Sequence, residues 1–193
     1  MRNFKYLQLL SLVSIVSVYS QNLPNAAQLV LDRTFHGWQL RPNHVPNPCD
    51  MPKRLAPSFP TLIPCKLNSD SVTDFAVALT VGKDSAQTEY FVALVSRDDS
   101  YDLFILASAS AYRGLGQRKM HVIQAGDTIS YFGFSDQKQL LLIAKVADAS
   151  HNFMLLSTDA IEIYPDCEST WKVVESSAYV FVHNKFLNFG TAD

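Results

Sequence analysis

The chain lacks most of the features that announce a chemistry. It has no excess of positive charge: 16 Lys and Arg stand against 18 Asp and Glu, a formal net charge of −2. A nucleic-acid surface normally needs a basic patch, and the densest cluster, Arg113 with Arg118 and Lys119, fits a solvated turn. No G-x-S-x-G occurs, so the nucleophile elbow is excluded. The histidines His36, His44, His121, His151 and His183 show no H-x-x-x-H spacing, so zinc would need ligands gathered from distant segments. Arg113-Gly114-Leu115-Gly116 bears glycine but lies between apolar runs instead of opening a helix, which a phosphate loop requires. No apolar run is long enough to span a membrane, which takes roughly 18 to 20 residues.

What is present begins with an export signal. Arg2 and Lys5 give a positive start, Leu7 to Val18 is uncharged, and Val18 and Ser20 precede a cut before Gln21. Residues 1–20 are therefore read as a signal peptide. Their removal takes two of the 16 basic residues and shifts the formal charge from −2 to −4. The expected compartment is periplasmic or secreted. About 173 residues remain, enough for one unit with a sizeable core.

Three cysteines, Cys49, Cys65 and Cys167, remain after cleavage. In an oxidising compartment one disulfide and one leftover thiol are expected. Cys49 with Cys65 is the preferred pair, because both border a proline-rich segment, and closing such a loop contributes roughly 3 kcal/mol. Cys65 with Cys167 is the alternative, and spacing does not choose between them.

Residues 25–36 have the spacing of a short amphipathic helix: Asn25 as cap, Ala27, Val30, Leu31 and Thr34 on one face, Gly37 as stop. Residues 41–64 hold seven of the nine prolines, which predicts a loop or strap instead of sheet interior. Residues 21–64 are thus expected as helix plus strap, packed as one unit with a β-rich region over 65–193. From Asp74 onward apolar runs of five to nine residues follow one another: DFAVALTV, TEYFVALVS, YDLFILAS, KMHVI, DTISYF, QLLLIAKV, NFMLL, DAIEIY, TWKVV, AYVFV and KFLNFG. The fold class expected is mainly β (α+β), an antiparallel sheet or sandwich of short strands with one N-terminal amphipathic helix. His183-Asn184 is short enough to close a hairpin.

The stretch PCKLNSDSVTDFAV is the most specific local pattern. Calcium loops alternate carboxylates and amides so that every second side chain turns onto a cation taking six to eight oxygens. Here Lys66, Asn68, Asp70 and Asp74 occupy those positions, and Ser71 stands where glycine would ease the curl. An ammonium in place of a carboxylate removes an oxygen and repels the ion. The expectation is a loop that keeps its shape without the metal, with Lys66 pairing to Asp70 or Asp74. An ordinary polar turn before a strand is the plainer alternative.

This loop, entering FAVAL, resembles the FG-GAP/VCBS-like element, whose common form is D-x-[DN]-x-D-G-x-x-D. With FHGWQL before it and AYVFVHNKFLNFGTAD at the end, the chain is similar to small exported bacterial proteins with a single such unit. The resemblance implies compartment and fold, since that family has no established activity.

Candidate chemistry is thin. Asp98, Asp99 and Asp102 read as a hairpin turn, and Glu162 and Asp166 as equally ordinary solvated positions. The C-terminal aromatics, including Trp171, Tyr179 and Phe181, are expected mostly in the core, with any exposed remainder serving as an interaction patch. The function expected is an exported, non-enzymatic binding or interaction module of the cell envelope, one specific version being an inhibitor or immunity-type protein. Its partner would be a protein or envelope component, with no nucleic acid, no membrane span after signal removal and no cofactor. Two alternatives stand beside it: a hydrolase assembled from scattered residues such as His36, Asp70 and His121, or a calcium-stabilised structural module.

Overall fold

The computed structural model describes residues 23–41, 60–83, 86–110, 118–132, 144–148, 153–165 and 176–191. They form a single helix, α1 (Asn25–Thr34), and strands β1 (Gln39–Leu40), β2 (Leu62–Cys65), β3 (Asp74–Val81), β4 (Thr88–Arg97), β5 (Ser100–Ser110), β6 (Arg118–Ile123), β7 (Thr128–Phe132), β8 (Ala144–Asp148), β9 (Phe153–Leu156), β10 (Ala160–Pro165), β11 (Ser176–Val182) and β12 (Lys185–Thr191). The chain is mostly β, and every strand pairing described is antiparallel.

Two sheets result. The first has five strands in the order β1-β3-β4-β5, with β2 sharing the β1 side of β3. β1 pairs with Leu79 and Thr80, while β2 pairs along Asp74 to Val77. The second has seven strands in the order β6-β10-β11-β12-β7-β9-β8.

The nearly unbroken apolar character of DFAVALTV has a simple cause: β3 is covered on both faces. Ala76 and Ala78, with Phe91, Ala93 and Val95 of β4, pack against Met120, Ile161 and Ile163 of the second sheet. Phe75, Val77 and Leu79, with Val92 and Leu94, meet Ala27, Leu31 and Phe35 from the helical segment. Period-two alternation therefore sends one set of side chains to each layer. The second sheet also carries a core on its other face, built from Ile123, Tyr131, Met154, Leu156, Ala178, Val180 and Phe189.

Two expectations about boundaries change. The helix is shorter than 25–36, and Asn25 is its first residue instead of its cap. Pro24 takes the cap position without a side-chain bond, and the Phe35 amide closes the last turn on the Leu31 carbonyl at 2.7 Å. Proline at the entry is tolerated because the first-turn amides have no intrahelical partner anyway. The expected proline-rich loop over 41–64 ends earlier, since Leu62–Cys65 is a strand containing Pro64. Only an edge strand accommodates a residue without an N–H, and β2 is one. The rest of that segment, 42–59, lies outside the described residues, as do Cys49, Cys167, Trp171 and the TWKVV run.

Turns behave as their residues suggest. His183 and Asn184 close β11 onto β12 with φ of 48° and 63°, the left-handed values that suit two-residue hairpins. Asp98, at φ 50°, turns β4 into β5, and Arg97 bridges to Asp102 at 2.6 Å across that hairpin. Gly82 combines a φ of 89° with an Ala86 carbonyl oxygen 2.8 Å from where a Cβ would sit, so only glycine fits.

Candidate functional site

The 66–74 loop is held by its own side chains. Asp74 is fully buried at the start of β3. One of its oxygens accepts the Leu67 and Asn68 amides at 2.6 and 3.2 Å, and the other accepts the Ser96 amide and hydroxyl at 2.7 and 2.8 Å. Asp70 shares that single Ser96 hydroxyl proton at 2.7 Å, and accepts the Asn68 carboxamide N–H at 2.9 Å and the Val72 amide at 2.9 Å. Desolvation pushes the Asp70 carboxyl up, but these hydrogen bonds and the nearby Lys66 charge outweigh it and hold the group below its ordinary value. The structure thus brings Asn68, Asp70 and Asp74 together, and adds Ser96 of β4, which the linear pattern could not supply.

Lys66 behaves differently from expectation. Its ammonium donates to the Ser71 and Val72 carbonyls at 2.6 and 2.7 Å, instead of to Asp70 or Asp74. Its backbone amide donates to Asp159 at 2.7 Å, and Asp159 also accepts the Ala125 amide, so the loop is tied to the second sheet's turns. Cys65, beside it, is a buried free thiol, in contrast to both expected pairings, Cys49–Cys65 and Cys65–Cys167, whose other cysteines lie outside the described residues. Burial first, then the Asp74 and Asp159 carboxylates, push that thiol far above its usual range.

A polar cluster sits on the outer core face of the second sheet. Glu162, buried in β10, accepts the Thr191 hydroxyl, and its other oxygen lies 3.2 Å from His121 Nε2. Tyr164 packs edge-on against the imidazole at 5.2 Å. The expectation of a solvated Glu162 is overturned, because its cross-strand neighbour is His121 and its face is core. Asp166 lies outside the described residues. The hydrolase constellation does not assemble in the described contacts: Asp70 belongs to the loop, His121 to Glu162, and His36 is exposed.

A buried charge pair pins the sheets together. Arg41 approaches Glu89 at 3.6 Å, donates to the Arg118 carbonyl of β6 at 2.7 Å, and stacks over Phe91 at 5.7 Å. Burial raises the Glu89 carboxyl, and the Arg41 charge only partly offsets this.

A groove of about 460 Å³ opens between β5 and the β11–β12 hairpin. Leu103, Phe104, Ile105 and Leu106 form one wall, and Tyr179, Phe186 and Asn188 the other. Phe104, Phe181 and Phe186 stack mutually, with ring centroids 5.2 to 5.3 Å apart, and floor the gap between the sheets. Of the sequence-expected aromatics, Tyr179 lines the groove and Phe181 supports it from the shared core. Phe186, another of the C-terminal aromatics singled out in the sequence, lines it as well, whereas sequence reasoning missed Asn188 and the whole β5 wall. Their one visible signal was Ile105, an apolar residue on the far side of an otherwise well-patterned run, which proves 52% exposed.

No family model, no curated protein and no solved structure gives a significant match to this chain.

Proposed function

We propose that the chain is an exported, non-enzymatic interaction module of the cell envelope that meets its partner through the β5 groove. The observation carrying this reading is the groove itself. An apolar cleft of about 460 Å³, with a few convergent polar groups, has the size and character of a binding site. Tyr179 and Phe186 offer the rigid aromatic area enriched at interface centres. The export signal read in residues 1–20 supports a position outside the cytoplasm, and the resemblance to single-unit FG-GAP/VCBS-like proteins agrees with a scaffold. An inhibitor or immunity-type role is the specific version.

A photo-crosslinking residue at Ile105, compared with one at Leu29 on α1, tests the site in the producing cell. The expected result is an adduct at position 105 that Phe186→Ala abolishes and that position 29 does not give. Identical adducts at both positions would sink the reading. Amino-terminal sequencing of the exported protein should begin at Gln21; an intact leader would remove the compartment from the proposal.

A calcium-stabilised module is the second reading, and it rests on the loop geometry. Lys66 already places a positive charge on the Val72 carbonyl, which favours the metal-free form.

A further inference from the structure

Building on the interaction-module reading, we propose that the groove takes an extended, uncharged peptide segment of another protein as an added strand on β5.

Four consecutive residues, Leu103 to Leu106, line the groove. Successive side chains on a strand point to opposite faces. A cavity touched by four in a row therefore opens onto the strand's edge. The sheet faces are otherwise accounted for: Phe104 and Leu106 join the core between the sheets, and Leu103 joins the core under α1.

That edge determines the chemistry of the occupant. Among the described residues β5 pairs with β4 alone. Among the described residues nothing pairs with the backbone N–H and C=O groups that its outer side presents in strand repeat. Another extended backbone matches that repeat, with side-chain pockets supplying selectivity. The wall opposite is Tyr179, Phe186 and Asn188, so among the described residues no charged one lines the groove. A charged side chain entering it would lose hydration without a counter-charge, which selects an apolar or small polar segment.

A β-bulge argues for a short segment over a second copy of this chain. Phe91 pairs with Ala107 and Val92 with Ile105, so Leu106 is the extra residue. A bulge bends and twists an edge, the device by which sheets resist long edge-to-edge association. Two such edges meeting around a twofold would set one irregularity near another. A single short strand needs only the regular stretch before the bulge.

The test is a titration of the isotope-labelled exported chain with a short blocked peptide alternating threonine and valine. A matched peptide carries N-methyl groups at alternate residues, which keep the side chains and remove N–H donors. The expected result is amide shifts centred on Leu103 to Ile105 and binding at least about tenfold weaker for the methylated peptide. Ile105→Lys, at an exposed position, should weaken the parent peptide by about tenfold without lowering the melting temperature. Equal binding of both peptides in the groove would overturn strand addition and leave the interaction-module reading standing. Absence of shifts at the groove with either peptide would overturn both. Shifts at the same residues that grow with protein concentration alone would identify the occupant as a second copy and overturn the proposal.

Discussion

The Lys66 ammonium donates to the Val72 carbonyl at 2.7 Å, across the loop that Lys66 itself opens. With the Ser71 carbonyl at 2.6 Å, this gives the loop a tethered cation at backbone oxygens a free ion would otherwise need. Replacing the ammonium by a ligand oxygen and freeing the backbone, Lys66→Asp with Ser71→Gly, should create calcium affinity. At calcium a hundredfold above the dissociation constant the gain is about 2.7 kcal/mol. Thermal unfolding with calcium and with chelator should then differ by roughly 5–10 °C in the double variant. Identical melting in both conditions would reject the inferred loop geometry.

Asp74→Ala should be among the most damaging substitutions in the loop. It orphans the Leu67, Asn68 and Ser96 amides at once, and each unsatisfied buried donor costs about 1–3 kcal/mol. Chemical denaturation should show a loss of at least about 3 kcal/mol with an unchanged slope against denaturant. A loss under about 1 kcal/mol would mean that the loop is not held through Asp74.

Glu89 gives a pH dependence of defined sign. Its carboxyl is raised in the folded state by burial, so folding favours its protonated form. The unfavourable contribution is absent below the unfolded carboxyl value and grows as pH rises through the raised folded value. Glu89→Gln should therefore gain stability relative to wild type as pH rises from the acid range to neutrality. A difference that shrinks over that range, measured by melting, would show that Arg41 dominates instead.

Cys65 should resist alkylation. Its thiol is buried and held protonated, and the thiolate is the reactive form. Mass spectrometry after iodoacetamide at mildly alkaline pH should find Cys65 unmodified in native protein and modified in denaturant. Rapid native labelling would show that β2 opens readily.

Much of the β framework was legible because alternation and turn chemistry act locally. DFAVALTV, AYVFV and KFLNFG became β3, β11 and β12 with small shifts, and His183-Asn184 closed the expected hairpin. Pro64 misled because its cost depends on whether a strand is central or at an edge, which is a property of the assembled sheet. Glu162 misled for a similar reason: a carboxylate between apolar neighbours reads as solvated until His121 and Thr191 arrive from strands 41 and 29 residues away. Of the groove only the C-terminal aromatics Tyr179 and Phe186 could be named beforehand, since its walls meet only when the two sheets pack.

The meander β3–β4–β5 joins neighbours in sequence through short turns, whereas β6 must wait for β10 and β7 for β12. Closing short loops costs less chain entropy, so the meander is expected to form first. Pulse-labelled hydrogen exchange should find its amides protected earlier than those of β6 and β7, whose partners lie far along the chain. Until the last third of the chain arrives, Ala76, Ala78, Phe91, Ala93 and Val95 stand without their cover. For a polypeptide released amino-terminus first, the danger of misassociation is thus concentrated in an interval, and it ends when the final hairpin docks.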